Sequence, residues 1–344
     1  VDNYHDVVHQ LGEFLQTHGH DFRAGKDLPL RIDSVKSVGF GTKGKYWYKL
    51  HSFRPESGGE LIRGSFGKYG SDQRERIEID WKPINEAERE RLKAQLAEKR
   101  AVADATRRAE EEQAALGASD LWRRASKTGE SPYLVKKGVL GECCRYLADG
   151  SLIVPLIRYD LPREQALRGV QRIYPGPRND SRTGEPLPEK VYTWKFAKQG
   201  CAVRLGEVQP GHIVLICEGY ATGLTLRMAC DQSLAVYVAM DAGNLQHVVP
   251  LVRQLHPESR ILICADDDWR TRDPITKQLN NPGRTAAKAT AKATEHTDFV
   301  YPIFDAATRG AKDTDFNDLH ARQGLEAVRR QISVVVQAMR SRYG

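Results

Sequence analysis

Val214-Leu215-Ile216-Cys217-Glu218-Gly219-Tyr220-Ala221-Thr222-Gly223 and Ile261-Leu262-Ile263-Cys264-Ala265-Asp266-Asp267-Asp268 share one construction, an apolar run followed within two positions by a carboxylate. The runs are continuous and rich in β-branched residues rather than alternating, which reads as strands buried on both faces in the middle of a parallel sheet. The open crevice of such a sheet lies outside the carboxyl ends of its strands, so acids placed just after each run converge there. Glu218, Asp266 and Asp268 are therefore expected to share one divalent ion. Asp267, lying between two of them, points to the opposite side of an extended segment and is not expected to be a primary ligand. Two ionised carboxylates about 4 Å apart repel by roughly 4 kcal/mol at an effective dielectric near 20, so three such groups take up protons or bind a cation. Hard oxygen donors without His or Cys favour Mg²⁺ or Mn²⁺ over zinc.

Composition sets the bounds. The 344 residues suffice for two or three domains, and 40% hydrophobic residues suffice for a substantial core. A net charge of +7 and a pI near 9.0 favour a polyanionic partner, most simply nucleic acid. The six cysteines contain no C-x-x-C pair and no His spacing of a zinc ribbon, and read as reduced, mostly buried thiols. No apolar stretch of membrane-spanning length and no signal-peptide core is present, so the expected location is cytoplasmic. The sequence starts at Val1 rather than Met, which leaves a fragment or a processed product open.

Five segments are expected. Residues 1–82 form a small aromatic and basic β-rich domain, with a helix near Val7–Leu15 and strands at Lys45–His51, Glu60–Phe66 and Arg76–Trp81. Its interleaved basic and aromatic residues fit either base stacking with phosphate pairing or ordinary packing of a small core. Residues 83–117 form a charged helical linker, with seven basic and eight acidic residues between Asn85 and Gln113 and no Gly or Pro. Residues 118–205 form a basic α+β subdomain, with a hairpin of Leu152–Ile157 and Gly169–Tyr174. Residues 206–320 form an α/β domain with a parallel central sheet flanked by helices, and 321–344 a C-terminal helix.

The ordered motifs Glu218-Gly219-Tyr220-Ala221-Thr222-Gly223, Asp241-Ala242-Gly243-Asn244-Leu245, Ala265-Asp266-Asp267-Asp268 and Asp315-Phe316-Asn317-Asp318-Leu319 resemble the Toprim domain. That metal-binding module is shared by DnaG-type primases, topoisomerases, RecR proteins and OLD nucleases. Within the group the sequence is similar to primases of plasmids and bacteriophages. The likeness extends upstream through Pro132-Tyr133-Leu134, Val154-Pro155-Leu156 and Gly169–Ile173, covering about residues 120–320. It departs from the DnaG pattern at Thr222, where those primases carry an acid, and in lacking an N-terminal zinc-binding module.

The resemblance implies a nucleotidyltransferase, a DNA-dependent primase making short RNA primers from NTPs on single-stranded DNA. It further implies that Asp266 and Asp268 hold Mg²⁺ or Mn²⁺, that Glu218 binds metal or acts as general acid/base, and that Asp315 supplies a second-metal ligand. Asn317 and Asp318 fit a helix cap instead. Arg172, Lys195 and Lys198 are candidate template or nucleotide contacts, and Arg284 and Lys288 candidate triphosphate contacts at a helix start. The sequence has no G-x-x-x-x-G-K-[ST] phosphate loop, so unwinding falls to a replicative helicase or helicase domain outside it. The competing readings are a Toprim nuclease or strand-transfer enzyme, and a non-catalytic single-strand-binding replication module.

Overall fold

The computed structural model describes residues 3–34, 36–54, 59–69, 74–78, 86–272 and 277–343. The expected strand at Arg76–Trp81 runs past Glu78 into residues outside that set. So do the start of the charged segment at Asn85 and part of the polar loop between Asp273 and Asn281.

The chain divides into two compact units at Arg107/Arg108. In the first, helix α1 (Tyr4–Thr17) packs on an antiparallel sheet of β1 (Val38–Phe40), β2 (Tyr46–Phe53), β3 (Leu61–Lys68) and β4 (Arg74–Arg76), in that order. Alternation along β2 sends Tyr46, Tyr48 and Leu50 inward, where they meet Val7, Leu11, Leu15, Ile62 and Phe66. The aromatic residues that suggested a stacking surface are thus largely the core. Asn3 ties α1 to β3 by a reciprocal pair with Ile62, at 2.8 Å to its carbonyl and 2.6 Å from its amide. The charged segment is helix α2 (Glu86–Arg124), which runs on without a break past the expected linker boundary at residue 117.

In the second unit, α3 (Pro132–Lys137) precedes the short β5 (Arg145–Tyr146) and a hairpin of β6 (Leu152–Ile157) and β7 (Leu167–Ile173). After the small ribbon β8 (Arg178–Asn179) and β9 (Pro186–Leu187), β10 (Lys190–Tyr192) completes an antiparallel sheet of order β10-β7-β6-β5. The last sheet is built from β11 (Val203–Leu205), β12 (Val214–Cys217), β13 (Val236–Val238), β14 (Ile261–Cys264) and β15 (Thr297–Val300), in the order β11-β13-β12-β14-β15. The four strands β12 to β15 run parallel, and β11 is an antiparallel edge drawn from residues expected to belong to the preceding subdomain.

Helices α4 (Tyr220–Ala229), α5 (Ala242–Leu255), α6 (Pro282–Ala293), α7 (Phe316–Gln323) and α8 (Leu325–Tyr343) cover this sheet. Leu224 and Leu226 of α4, Phe316 and Leu319 of α7, and Val328 and Ile332 of α8 fill one face. Leu245, Val248, Val249 and Val252 of α5 with Ala287 of α6 fill the other. Both faces being covered is what makes β12 and β14 apolar at every position. No helix among the described residues is long and apolar enough to cross a membrane.

Glycine marks the closest helix–sheet approach. A Cβ on Gly223 would lie 2.6 Å from Val238 Cγ2 and 3.1 Å from Leu205 Cδ1. Gly223→Ala is therefore expected to destabilise the protein by about 1–3 kcal/mol through overpacking. Gly117→Ala in α2, where nothing lies within 4 Å, should stabilise it by about 0.5–1 kcal/mol through helix propensity. Opposite shifts of the melting temperature in the two variants check the packing.

Candidate active site

Strand order decides which acids meet. From β12 the chain crosses to β13 on one side and later fills β14 on the other, so the switch point of the sheet lies at the carboxyl end of β12. The register pairs Cys217 with Cys264 and with Val238, so Glu218, Asp241 and the Asp266–Asp268 turn leave the sheet along one rim. Glu218 Oε1 lies 3.5 Å from the Asp266 amide nitrogen. The first turn of α6 is pressed against both: a Cβ on Gly283 would lie 2.5 Å from the Asp266 carbonyl oxygen and 3.0 Å from Glu218 Oε1. The Gly283 amide donates to Asp268 Oδ2 at 3.2 Å, and Asn281, the N-cap of α6, accepts from the Asp268 amide at 3.0 Å. The expected trio is thus brought to one place.

These carboxylates face one another with little compensation. Burial, with the Asp268 and Asp315 charges adding to it, pushes the Glu218 carboxyl up to about 7. Asp266 is raised well above its ordinary value by desolvation, then by Glu218, Asp315 and Asp268. As a residue Asp266 is half-buried, but its Oδ1 is sealed from solvent and has no hydrogen-bond partner. An orphaned hard oxygen beside a carboxylate that holds its proton near neutrality fits a divalent-cation ligand. Among the described residues no three His, Cys, Asp or Glu side chains are placed together so as to hold a metal ion by themselves. Magnesium is ordinarily held by one or two carboxylates with water and substrate phosphates completing its shell, so an open rim and a Mg²⁺-like ion are compatible.

Asp267 faces away, as its position implies. It is buried and paired with Arg309 at 2.9 Å and Arg284 at 3.5 Å, accepts from Asn281 Nδ2 at 2.6 Å, and its amide donates to the Thr314 carbonyl at 2.7 Å. Arg309 lies over Trp269 at 4.5 Å and over Phe304 at 4.6 Å. Asp267 therefore anchors the turn that aims its two neighbours.

Asp315 serves two ends at once. It is the N-cap of α7, accepting from the Asp318 amide at 2.7 Å, and Asp318 answers by accepting from the Asp315 amide at 3.3 Å. Its Oδ2 accepts from Thr222 Oγ1 at 3.0 Å. Burial and the Asp318 charge raise its carboxyl, against the lowering from Lys137 and Thr222. Thr222, the departure from the DnaG pattern, supplies a hydroxyl donor to this carboxylate. Asn317 is not a cap: it is buried, donating to the Lys137 carbonyl at 2.8 Å and to Thr225 Oγ1 at 3.0 Å.

The basic candidates divide. Lys198 pairs with Asp241, and the following backbone is fixed by buried Asn244, which accepts from the Gly200 amide at 2.9 Å and donates to the Cys201 and Ala239 carbonyls. Arg284 lies 3.8 Å over the Tyr301 ring beside Asp267. Lys288 is exposed on α6. Arg172 is held by Asp149 at 2.5 Å and stacked on Tyr174 at 4.4 Å, while Lys195 is engaged by Glu110 of α2. Neither has a described contact with the acids.

Lys190 was not singled out by sequence. It is exposed as a residue, yet crowding around its ammonium makes desolvation the largest influence, pulling its pKa down while Asp315, Glu189 and Asp266 oppose it. The ammonium lies 5.1 Å from the Tyr133 ring centre. No local signal marked it, and the pairing of β10 with β7 is what puts it there.

Residues 213–326 match the Toprim domain family, so this unit carries a Toprim domain. Among solved structures the chain is similar to the primase fragment of the Bacteriophage T7 primase-helicase protein. Identity is 12%, over 58% of this chain and 69% of that one, at a TM-score of 0.37. It is also similar to the RNA polymerase domain of Mycobacterium tuberculosis primase DnaG in complex with a DNA oligomer. There the identity is 14%, over 65% and 80% of the two chains, at a TM-score of 0.37. A DnaG primase catalytic domain bound to single-stranded DNA gives 14% identity, over 67% and 82%, at 0.36.

The raised carboxyl of Glu218 fixes the sign of a pH effect. Its folded value of about 7 exceeds its ordinary 4.5, so folding is penalised as pH rises through that window, with a slope of up to about 1.4 kcal/mol per pH unit. In EDTA, denaturant unfolding should show stability falling between pH 4.5 and 7. Glu218→Gln should be more stable than wild type at pH 8 and lose that advantage at pH 4.5.

Proposed function

We propose that this chain is the catalytic core of a Toprim-type DNA primase, synthesising short RNA primers from NTPs on a single-stranded DNA template by nucleotidyl transfer that depends on Mg²⁺ or Mn²⁺. The observation that carries the reading is the gathering of Glu218, Asp266 and Asp268 at the switch point of a Toprim sheet, with Asp266 Oδ1 left unsatisfied.

Asp266 and Asp268 would hold the ion, with Asp315 a ligand to a second one. When bound, such ions lower the pKa of an attacking 3′-hydroxyl and neutralise the triphosphate of the incoming nucleotide. The protein's own part is placement. Asp268 is aimed by the Gly283 amide and Asn281, and Asp315 by Thr222 and the α7 cap. Glu218, poised near neutrality, binds the cation or accepts the hydroxyl proton. Lys190, Lys198, Arg284 and Lys288 are the proposed phosphate contacts around this rim, with Arg172 and Lys195 as template contacts on the basic subdomain. Phosphate contacts position without reading sequence, so binding should be salt-dependent and weakly selective. Strand separation is assigned to a helicase or helicase domain outside this chain.

Labelled NTP incorporation on single-stranded DNA with Mg²⁺ or Mn²⁺ tests the proposal. Glu218→Gln and Asp268→Asn should each lower synthesis by on the order of 10²-fold or more, while single-strand binding stays near wild type. Retained synthesis in both variants would sink the assignment. Shortening of the labelled strand with metal but without nucleotides would favour the nuclease reading instead.

A further inference from the structure

The face of the N-terminal sheet opposite its core presents positive charge in register. Pairing sets Lys49 beside Ser65 and Ser65 beside Arg76, one row across three strands. The row on one side pairs His51 with Arg63, and the row on the other runs from half-buried Trp47 through Gly67 to Arg74. Arg74 donates to Ser65 Oγ from Nε at 3.3 Å and Nη2 at 3.2 Å, which draws its guanidinium toward the Lys49–Arg76 row. Lys99 and Arg100 of α2 wall the other side, leaving a cleft of about 190 Å³.

Counter-charge among the described residues is scarce there. Asp33 is taken by Lys99 at 3.1 Å and His51 at 3.5 Å, and Asp104 by Arg107 at 3.2 Å. Among the described residues no carboxylate lies within ion-pair distance of Lys49, Arg76 or Arg100. The Arg63 guanidinium is disfavoured first by burial, then by Arg100 and Arg76. Cations gathered in this way repel until an anion enters. Among the described residues no Phe, Tyr or Trp lines the cleft, so it lacks the apolar wall a free nucleotide's base would need. What remains is recognition of phosphate.

We propose that the cleft between the outer face of β2–β4 and the Lys99–Asp104 turn of α2 binds the phosphodiester backbone of single-stranded nucleic acid, without sequence preference. This contact lies within the N-terminal unit and does not depend on the primase reading. Charge rather than stacking carries this contact, because Tyr46, Tyr48 and Phe66 are spent on the core.

The test is binding of the full chain to fluorescent single-stranded oligonucleotides, by anisotropy across a salt series, in EDTA and without NTPs. Lys49→Gln/Arg76→Gln should make the slope of log K against log salt shallower by about 1.4, equivalent to roughly 25-fold weaker binding at 0.1 M salt, alike on oligo-dT and mixed sequence. Arg330→Gln/Arg340→Gln on α8 removes the same charge elsewhere and should leave both quantities unchanged. Lys49→Arg/Arg76→Lys should keep the wild-type slope, and its failure to do so would mean that packing rather than charge is being read. An unchanged slope in the glutamine pair, an equal loss in the α8 pair, or loss of tripolyphosphate binding with oligonucleotide binding intact would each overturn the proposal. Because the binding test contains neither metal nor nucleotide, binding seen there together with no primer synthesis in the separate NTP-incorporation assay would refute only the primase assignment.

Discussion

Like charges held together at the end of a parallel sheet are the constraint on which the catalytic unit turns. Glu218 and Asp266 are brought into contact range by the adjacency of β12 and β14, and α6 is pressed close enough that residue 283 must be glycine. Isolated carboxylates in such a place would protonate or push the structure apart. The surrounding fold is built to prevent the second outcome. Both faces of the sheet are packed by helices, and every position of β12 and β14 is buried.

The neighbouring charge Asp267 shows how that aim is kept. Arg309, Arg284, Asn281 and the Thr314 carbonyl all engage it. A fully partnered carboxylate between two poorly partnered ones gives the turn a fixed direction without neutralising the functional pair. The same economy appears at Asp315, where one side chain caps α7 through one oxygen and receives Thr222 through the other. A hydroxyl at position 222 eases crowding that an acid there would worsen, which gives the departure from the DnaG pattern a physical meaning.

The basic residues follow a different logic. Those close to the rim, such as Lys198 on Asp241 and Arg284 on Asp267, are already engaged by protein carboxylates. Phosphate would have to compete with those partners, so these cations are preset in position at some cost in availability. In the N-terminal unit the balance is reversed among the described residues, with several cations on one sheet face and few acids to receive them. Charge alone in the sequence could not separate these two situations.

Continuous apolar runs followed by acids were enough to place Glu218, Asp266 and Asp268 at strand ends, because burial on both faces leaves a pattern that needs no partner to be read. Alternation likewise exposed Asp267 as the odd member. Strand order, the antiparallel β11 edge, the approach of Gly283 and the placement of Lys190 where Asp315 and Asp266 act on it depend on segments far apart in the chain and left no local signature. The aromatic N-terminal segment looked equally like core or binding surface, since a one-residue shift in facing exchanges the two. Only the paired register of β2 with β3 and β4 decided that Tyr46, Tyr48 and Phe66 turn inward while Lys49, Arg63 and Arg76 turn outward.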